Sequence, residues 1–447
     1  MQKIRLIRRS RIILGIMVIF SLYLCYYLIN QSGSIKYANG AVDARIEEKK
    51  NQEERKSTIE GSILERNGQY ITVGEEAGKP AKLVSPQAYS ALIGFNSPRY
   101  GQSGLRYTYR KELLYGGKDK KGAEITLTID NALQHFCYSK LEEEGSIIIL
   151  DHEGKILAMV SRSDSELEYN VNEIEQNWNR YSAKKNFFYN RGIFEQDCPG
   201  STFKIVSAAS MLENNMEDYT YDDCGNYEGV HNAGNVSLGN LDLTKALINS
   251  SNTYFASVAD KLGGVKLKLT TDKFMFNKVV DLDFTSLNSQ IDFGYYDAFT
   301  IQQTAFGQGR IQISPLHLVM IIGSVQNNGT MMKPYLIKSI EDDGKLKYKG
   351  KKESISDCMT KKNAQNLQTM LHEVALSYGI NDTYGDVIAK TGTAQVSGSK
   401  DAYYHIYLLM ATKNYSVVIS HDKSVRSSGS LVKEGKEILK YLQTNEF

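Results

Sequence analysis

Hydrophobicity changes its period several times along the chain, and each change predicts a different element. Residues 12–29, IILGIMVIFSLYLCYYLI, are eighteen positions without a charge. That length crosses a bilayer as a helix. Lys3, Arg5, Arg8, Arg9 and Arg11 precede the run, and no acid does. The positive-inside rule keeps such an N-terminus in the cytoplasm and sends everything after Asn30 outside. A cleaved signal peptide has a shorter apolar core and a small-x-small cleavage site. The SGS that follows is a weak site, so the run reads as an uncleaved anchor. Mixed charge follows in DARIEEKKNQEERKS (43–57), as in a solvated helical stalk. Residues 58–122 alternate short strand-like pieces with turn signals such as RNG (66–68) and YGG (115–117). They read as a small irregular pedestal domain.

From Ala123 the pattern becomes regular. AEITLTID (123–130) alternates apolar and polar residues, as a half-buried strand does. A helix is expected from about Asn131 to Glu143. SIIILD (146–151) and KILAMVS (155–161) flank His152-Glu153-Gly154 and predict a β-hairpin. Helical periods follow at 201–213, 241–249, 252–262, 315–327 and 361–377. Strand patterns return at 386–391, 404–411 and 415–421, and a helix over about 430–444 closes the chain. Strands at both ends with helices between predict an α+β fold: one antiparallel sheet, its first and last strands adjacent, flanked by helices. The expected division is 1–30 for tail and transmembrane anchor, 31–122 for stalk and pedestal, and 123–447 for the main domain.

Composition narrows the function. The formal charge of +2 over 447 residues does not suit a basic nucleic-acid binder. No zinc-like Cys/His cluster and no Walker phosphate loop occurs, so no metal or cofactor is expected. Cys25 lies in the anchor run, and Cys137, Cys198, Cys224 and Cys358 lack the spacing of a disulfide framework.

The stretch CPGSTFKIVS (198–207) places Ser201 three residues before Lys204. The pair alone is weak, because Ser182/Lys185, Ser397/Lys400 and Ser430/Lys433 share the spacing. Pro199 and Gly200 suit a junction into a helix that Ser201 would open. Backbone N–H groups and the helix dipole there favour negative charge. Lys204 lies one turn on, and a desolvated lysine can lose its proton and act as base. None of the seven histidines sits in a nucleophile elbow. Two further stretches join the pair. INSSNTYF (248–255) holds Ser250-Ser251-Asn252, a Ser-x-Asn that also occurs at 286–288. IAKTGTAQ (388–395) holds Lys390-Thr391-Gly392-Thr393 on a predicted strand, and Lys-Thr-Gly occurs once. Ser-x-x-Lys, Ser-x-Asn and Lys-Thr-Gly in that order are hard to obtain by accident.

In these motifs the chain resembles the penicillin-binding proteins and serine β-lactamases. EGSILERNGQYI (60–71), NRGIFEQDCPGSTFKI, GNLDLTKALINSSNTYFA and FGQGRIQISPLHLVMII (306–322) resemble segments of class B penicillin-binding proteins. Glu60 and Glu65 depart from the usual arginine and aspartate, and DAYYHIYLLMATKNYSVVIS departs from the usual tryptophan-containing strand. The resemblance implies a peptidoglycan D,D-transpeptidase with a penicillin-binding transpeptidase-like fold. Ser201 would attack the carbonyl between two terminal D-alanines of a stem peptide, and Lys204 would take its proton. Backbone N–H groups of Ser201 and Thr393 would hold the oxyanion. Ser250 and Lys390 would relay a proton to the leaving D-alanine, Asn252 would bind the substrate amide, and Thr391 and Thr393 its carboxylate. Gly392 would leave room for a substrate backbone along the strand edge. β-Lactams would acylate Ser201, and a separate membrane glycosyltransferase would polymerise the glycan. Three alternatives compete. A class A β-lactamase needs a deacylating glutamate, and none lies between Thr253 and Ile340. A bifunctional synthase needs more chain before the main domain. A non-catalytic scaffold or β-lactam sensor of the same fold fits less well with an intact motif set.

Overall fold

The structure is a computed structural model that describes residues 56–115, 119–294, 297–395, 403–445 and 447. The apolar run 12–29, Cys25, most of the charged stalk and part of the YGG turn lie outside the described residues. Among the described residues no helix is long and apolar enough to cross a membrane.

Helix α1 (Asn131–Lys140) starts where the Asp130 side chain accepts the Leu133 N–H. Strands β1 (Gly145–Asp151) and β2 (Ile156–Arg162) form the expected hairpin. Helices α2 (Lys204–Glu213), α3 (Asn252–Leu262), α4 (Pro315–Gln326) and α5 (Lys361–Ser377) follow. Strands β3 (Ile388–Gln395), β4 (Tyr404–Ala411) and β5 (Tyr415–Ser424) and helix α6 (Leu431–Thr444) complete the domain. The five strands form one antiparallel sheet in the order β3-β4-β5-β1-β2. The chain therefore returns to its start, with Val418 of β5 opposite Ile148 of β1.

β1 is a continuous apolar run because both faces of the sheet are covered. Side chains alternate across it with period two. Ile147 and Ile149 join Leu408 and Met410 under Leu133, Ile438, Leu439 and Leu442 of α1 and α6. Ile148 and Leu150 join Leu409 and Val418 on the other face, against Val319 and Ile322 of α4. α4 is buried nearly all round, which explains why its sequence shows no polar stripe.

Two expectations are corrected. First, the strand within 123–130, Glu124–Leu127, is not part of this sheet. It belongs to a second, four-stranded sheet between Ile63–Leu64, parallel, and Ile337–Asp342, antiparallel, with Lys345–Lys349 on the outside. Its alternation reflects a strand buried on one face only, unlike β1. A local pattern records how many faces are covered and not which strand lies alongside. Second, α2 begins at Lys204. Gly200–Phe203 is a separate 3₁₀ turn, tightened by Gly200 at φ 55° and by the Gly200 N–H bond to the Gly307 carbonyl (2.9 Å).

The pedestal accommodates its unusual residues. Glu60 is 2% exposed and forms an ion pair with the equally buried Arg106 at 3.1 Å. Its other oxygen accepts the Ala81 N–H (2.8 Å) and the Asn96 amide (2.7 Å). Glu65 accepts the Asn67 and Gln69 N–H groups (2.6 and 3.1 Å) and closes the RNG turn, where Gly68 has φ 89°. Cys137, Cys198, Cys224 and Cys358 are unpaired.

His317 of α4 is packed, with Nε2 2.6 Å from the Phe274 carbonyl. Burial pushes its pKa down to about 4 from 6.5. The unfolded chain binds the extra proton between those two values, so unfolding free energy must fall as pH drops from 6.5 towards 4. Urea unfolding across that window should show this slope, and His317→Gln should flatten it even if it lowers stability at neutral pH.

Candidate active site

Three separate stretches meet at Lys204. Its side chain is fully buried at the start of α2. Nζ lies 2.9 Å from Ser201 Oγ, 2.6 Å from the Ser250 carbonyl oxygen, 3.2 Å from Ser250 Oγ and 2.8 Å from Asn252 Oδ1. All four partners are uncharged. Burial, and then the nearby Lys390 charge, hold the Lys204 pKa well below the ordinary 10.5.

Ser250 reaches this place because the chain turns sharply after Leu243–Ile248. It adopts φ 53°, the left-handed region that a non-glycine residue occupies at a cost. The next residues are clamped. Ser251 caps α3 through the Tyr254 N–H (3.0 Å) and donates to Asp223 (2.9 Å). Asn232 Oδ1 accepts the Asn252 N–H at 2.8 Å. The Asn252 amide donates to the His231 carbonyl (3.0 Å), which turns Oδ1 towards Lys204.

β3 supplies the third stretch. Lys390, also fully buried, places Nζ 3.1 Å from Ser250 Oγ, so both lysines contact one hydroxyl. The Thr391 hydroxyl meets the Tyr378 hydroxyl (2.9 Å), and Thr393 Oγ1 donates to Ser428 (2.9 Å). β3 is an edge strand, and the Ser201 turn packs directly on it. All eight residues singled out in the sequence therefore stand in one place: Ser201, Lys204, Ser250, Asn252, Lys390, Thr391, Gly392 and Thr393. A groove of 770 Å³ lined by Cys198, Arg310, Gln395 and His405, among others, includes none of these eight residues.

A family profile described as "Penicillin binding protein transpeptidase domain" matches residues 145–433. The chain belongs to the class B penicillin-binding proteins. It is 28% identical over 321 residues to "Penicillin-binding protein 3" of Bacillus subtilis (strain 168), a match covering 65% of this chain and 45% of that one. The chain spans about half the length of the curated relatives it matches. Its fold superposes with TM-score 0.77 on the D,D-transpeptidase domain of a peptidoglycan glycosyltransferase from Eggerthella lenta, at 25% identity, covering 87% and 99% of the two chains. It is also similar, with TM-score 0.75 and 21% identity, to a penicillin G acyl-enzyme complex of penicillin-binding protein A from M. tuberculosis, covering 87% and 100%.

This penicillin-binding protein has one cluster of metal-ligand type among its described residues, Asp197, His405 and Asp422. A side-chain cation already faces it: Arg191 lies 2.8 Å from Asp422, and within the cluster His405 lies 3.2 Å from Asp197. Burial alone would lower the His405 pKa, but Asp422 and Asp197 hold it above its ordinary value. Burial and the Asp422 charge push the neighbouring Glu195 up to about 7.

Residues missed by sequence reasoning are the supports: Asn232, Gly307, Tyr378 and Ser428. Asn232, Tyr378 and Ser428 have no local signal, because their partners are distant in sequence. Gly307 was visible in FGQG. A Cβ there would lie 1.8 Å from the Gly200 carbonyl oxygen, so only glycine lets this segment support the Ser201 turn. Gly392 needs a corrected reason. A Cβ at 392 would meet Pro199 O and Thr202 Cγ2 at 2.7 Å and Thr202 N at 3.1 Å, so the glycine admits the nucleophile turn itself. Gly392→Ala should displace that turn, lower Ser201 reactivity towards fluorescent penicillin about 100-fold, and cost about 1–3 kcal/mol of stability. Stopped-flow labelling and urea unfolding measure the two effects.

Proposed function

We propose that the protein is a peptidoglycan D,D-transpeptidase working through a Ser201 acyl-enzyme. One observation carries the reading: the arrangement of acceptors around Lys204 Nζ. The Ser250 carbonyl and Asn252 Oδ1 can only accept. A neutral amine gives its two N–H groups to them, which leaves its lone pair towards the Ser201 hydroxyl at 2.9 Å. Burial without a carboxylate partner favours that neutral form. Lys204 is thus set to take the Ser201 proton with no histidine involved.

Ser201 Oγ attacks the carbonyl carbon between the two terminal D-alanines while its proton passes to Lys204. The resulting oxyanion lies between the N–H groups of Ser201 and Thr393, and this preorganised pair supplies a large electrostatic term. Collapse breaks the peptide C–N bond. The departing amine takes a proton from the Ser250 hydroxyl, which draws on Lys204 and Lys390, both within hydrogen-bond reach of it. Asn252 holds the substrate amide, and Thr391 and Thr393 its carboxylate beside Lys390. An amine from a neighbouring stem peptide then attacks the acyl-enzyme, the cross-link forms and Ser201 regains its proton. A β-lactam follows the first half of this path, but its leaving nitrogen stays tethered.

The apolar run 12–29 after a basic N-terminus supports a single-pass anchor, with the N-terminus cytoplasmic and the catalytic domain outside. A separate membrane glycosyltransferase would supply the glycan strands.

Fluorescent penicillin should label the intact protein with one equivalent, while Ser201→Ala and Lys204→Ala should show none. Nitrocefin should give one burst per enzyme. Labelling that survives Ser201→Ala, or sustained nitrocefin turnover, would overturn the reading. In fractionated cells the full chain should sediment with membranes and, after detergent extraction, co-purify with a glycosyltransferase. Recovery from the soluble fraction would refute the anchor.

A further inference from the structure

Tyr378 follows α5 and brings a phenol to β3 that no part of the mechanism above uses. Its hydroxyl lies 2.9 Å from Thr391 Oγ1 and 3.3 Å from the Thr391 backbone nitrogen. Its ring packs partly against both apolar clusters.

The backbone contact sets a register. In an antiparallel ladder a residue points both its N–H and its C=O either towards the partner strand or away from it. Thr391 gives its N–H to Tyr378, so it faces away from β4 on the free edge of the sheet. Thr393, two residues on, faces the same way, and Gly392 faces β4. Tyr378 therefore occupies one free N–H of this edge and leaves that of Thr393 open.

The side-chain contact sets a polarity. The phenol oxygen accepts the Thr391 N–H, and the one phenol proton is free to point at Thr391 Oγ1. The Thr391 proton is then available to donate outwards. Such a donor beside the Lys390 cation suits an acceptor-only group, which a carboxylate is. Burial alone would raise the Tyr378 pKa, but the Lys390 charge and the hydrogen bond from the Thr391 N–H hold it below the ordinary 10.

We propose that Tyr378 is a positioning residue of the carboxylate subsite, fixing the direction in which the Thr391 hydroxyl donates. The proposal rests on the transpeptidase reading.

The test compares acylation by benzylpenicillin as free acid and as its methyl ester, in the full chain and in Tyr378→Phe, which keeps the ring and its packing. The free-acid rate should fall about tenfold, the loss of one directed hydrogen bond. The ester rate should stay within about twofold of the original. Thr391→Val should show the same selective loss, and Tyr378→Phe added to Thr391→Val should change nothing further. Melting temperatures of the variants should match the parent. An unchanged ratio of acid to ester in Tyr378→Phe, or an equal fall for both probes, overturns the positioning role. Additive losses in the double variant overturn its route through Thr391. If neither probe acylates the parent protein, the transpeptidase reading fails first, and this role with it.

Discussion

The interaction on which the site depends is a lysine buried among groups that carry no charge. Burial without a carboxylate disfavours an ammonium, and at Lys204 the charge of the second lysine, Lys390, disfavours it further. The hydrogen bonds of Lys204 go to two hydroxyls, a backbone carbonyl and an amide oxygen. The surrounding structure keeps this set in place. Ser250 takes a left-handed backbone conformation to present its carbonyl, and Asn232 holds the backbone of Asn252. Buried acids elsewhere in the domain have other partners: Asp223 supports Ser251, and Asp422 is tied to Arg191.

The second constraint is close approach of backbone to backbone. Ser201 is presented by a short turn wedged between the FGQG segment and β3. Gly307, Gly200 and Gly392 stand where these pieces touch, and a Cβ at any of them would meet main-chain atoms of another piece. The separation between the Ser201 turn and β3 is set by these contacts. β3 has a free N–H to offer because it is an edge strand; an inner strand would have none.

Packing accommodates the residues that stood out in the sequence. Glu60 finds a buried guanidinium and two backbone or amide donors, so a carboxylate there is satisfied. The divergent tail still forms two full strands of the sheet. Its apolar residues alternate in step with the two covered faces of the sheet, and the sheet responds to that pattern.

Local sequence patterns specify the elements with strong periods, which are the β1–β2 hairpin, α5 and β4, and they also carry the triplet of motifs. Those signals are local, because hydrophobic period and turn chemistry act over a few residues. The sequence also held the order of Ser201, Ser250 and Lys390, from which one pocket could be expected. Long-range packing places Glu124–Leu127 beside Ile63–Leu64 in a second sheet and makes Gly392 the residue that leaves room for the Ser201 turn. The same holds for Asn232, Tyr378 and Ser428 as the supports of the site. Each of those facts is a contact between segments far apart in the chain, and no local pattern encodes which distant neighbour a side chain will meet.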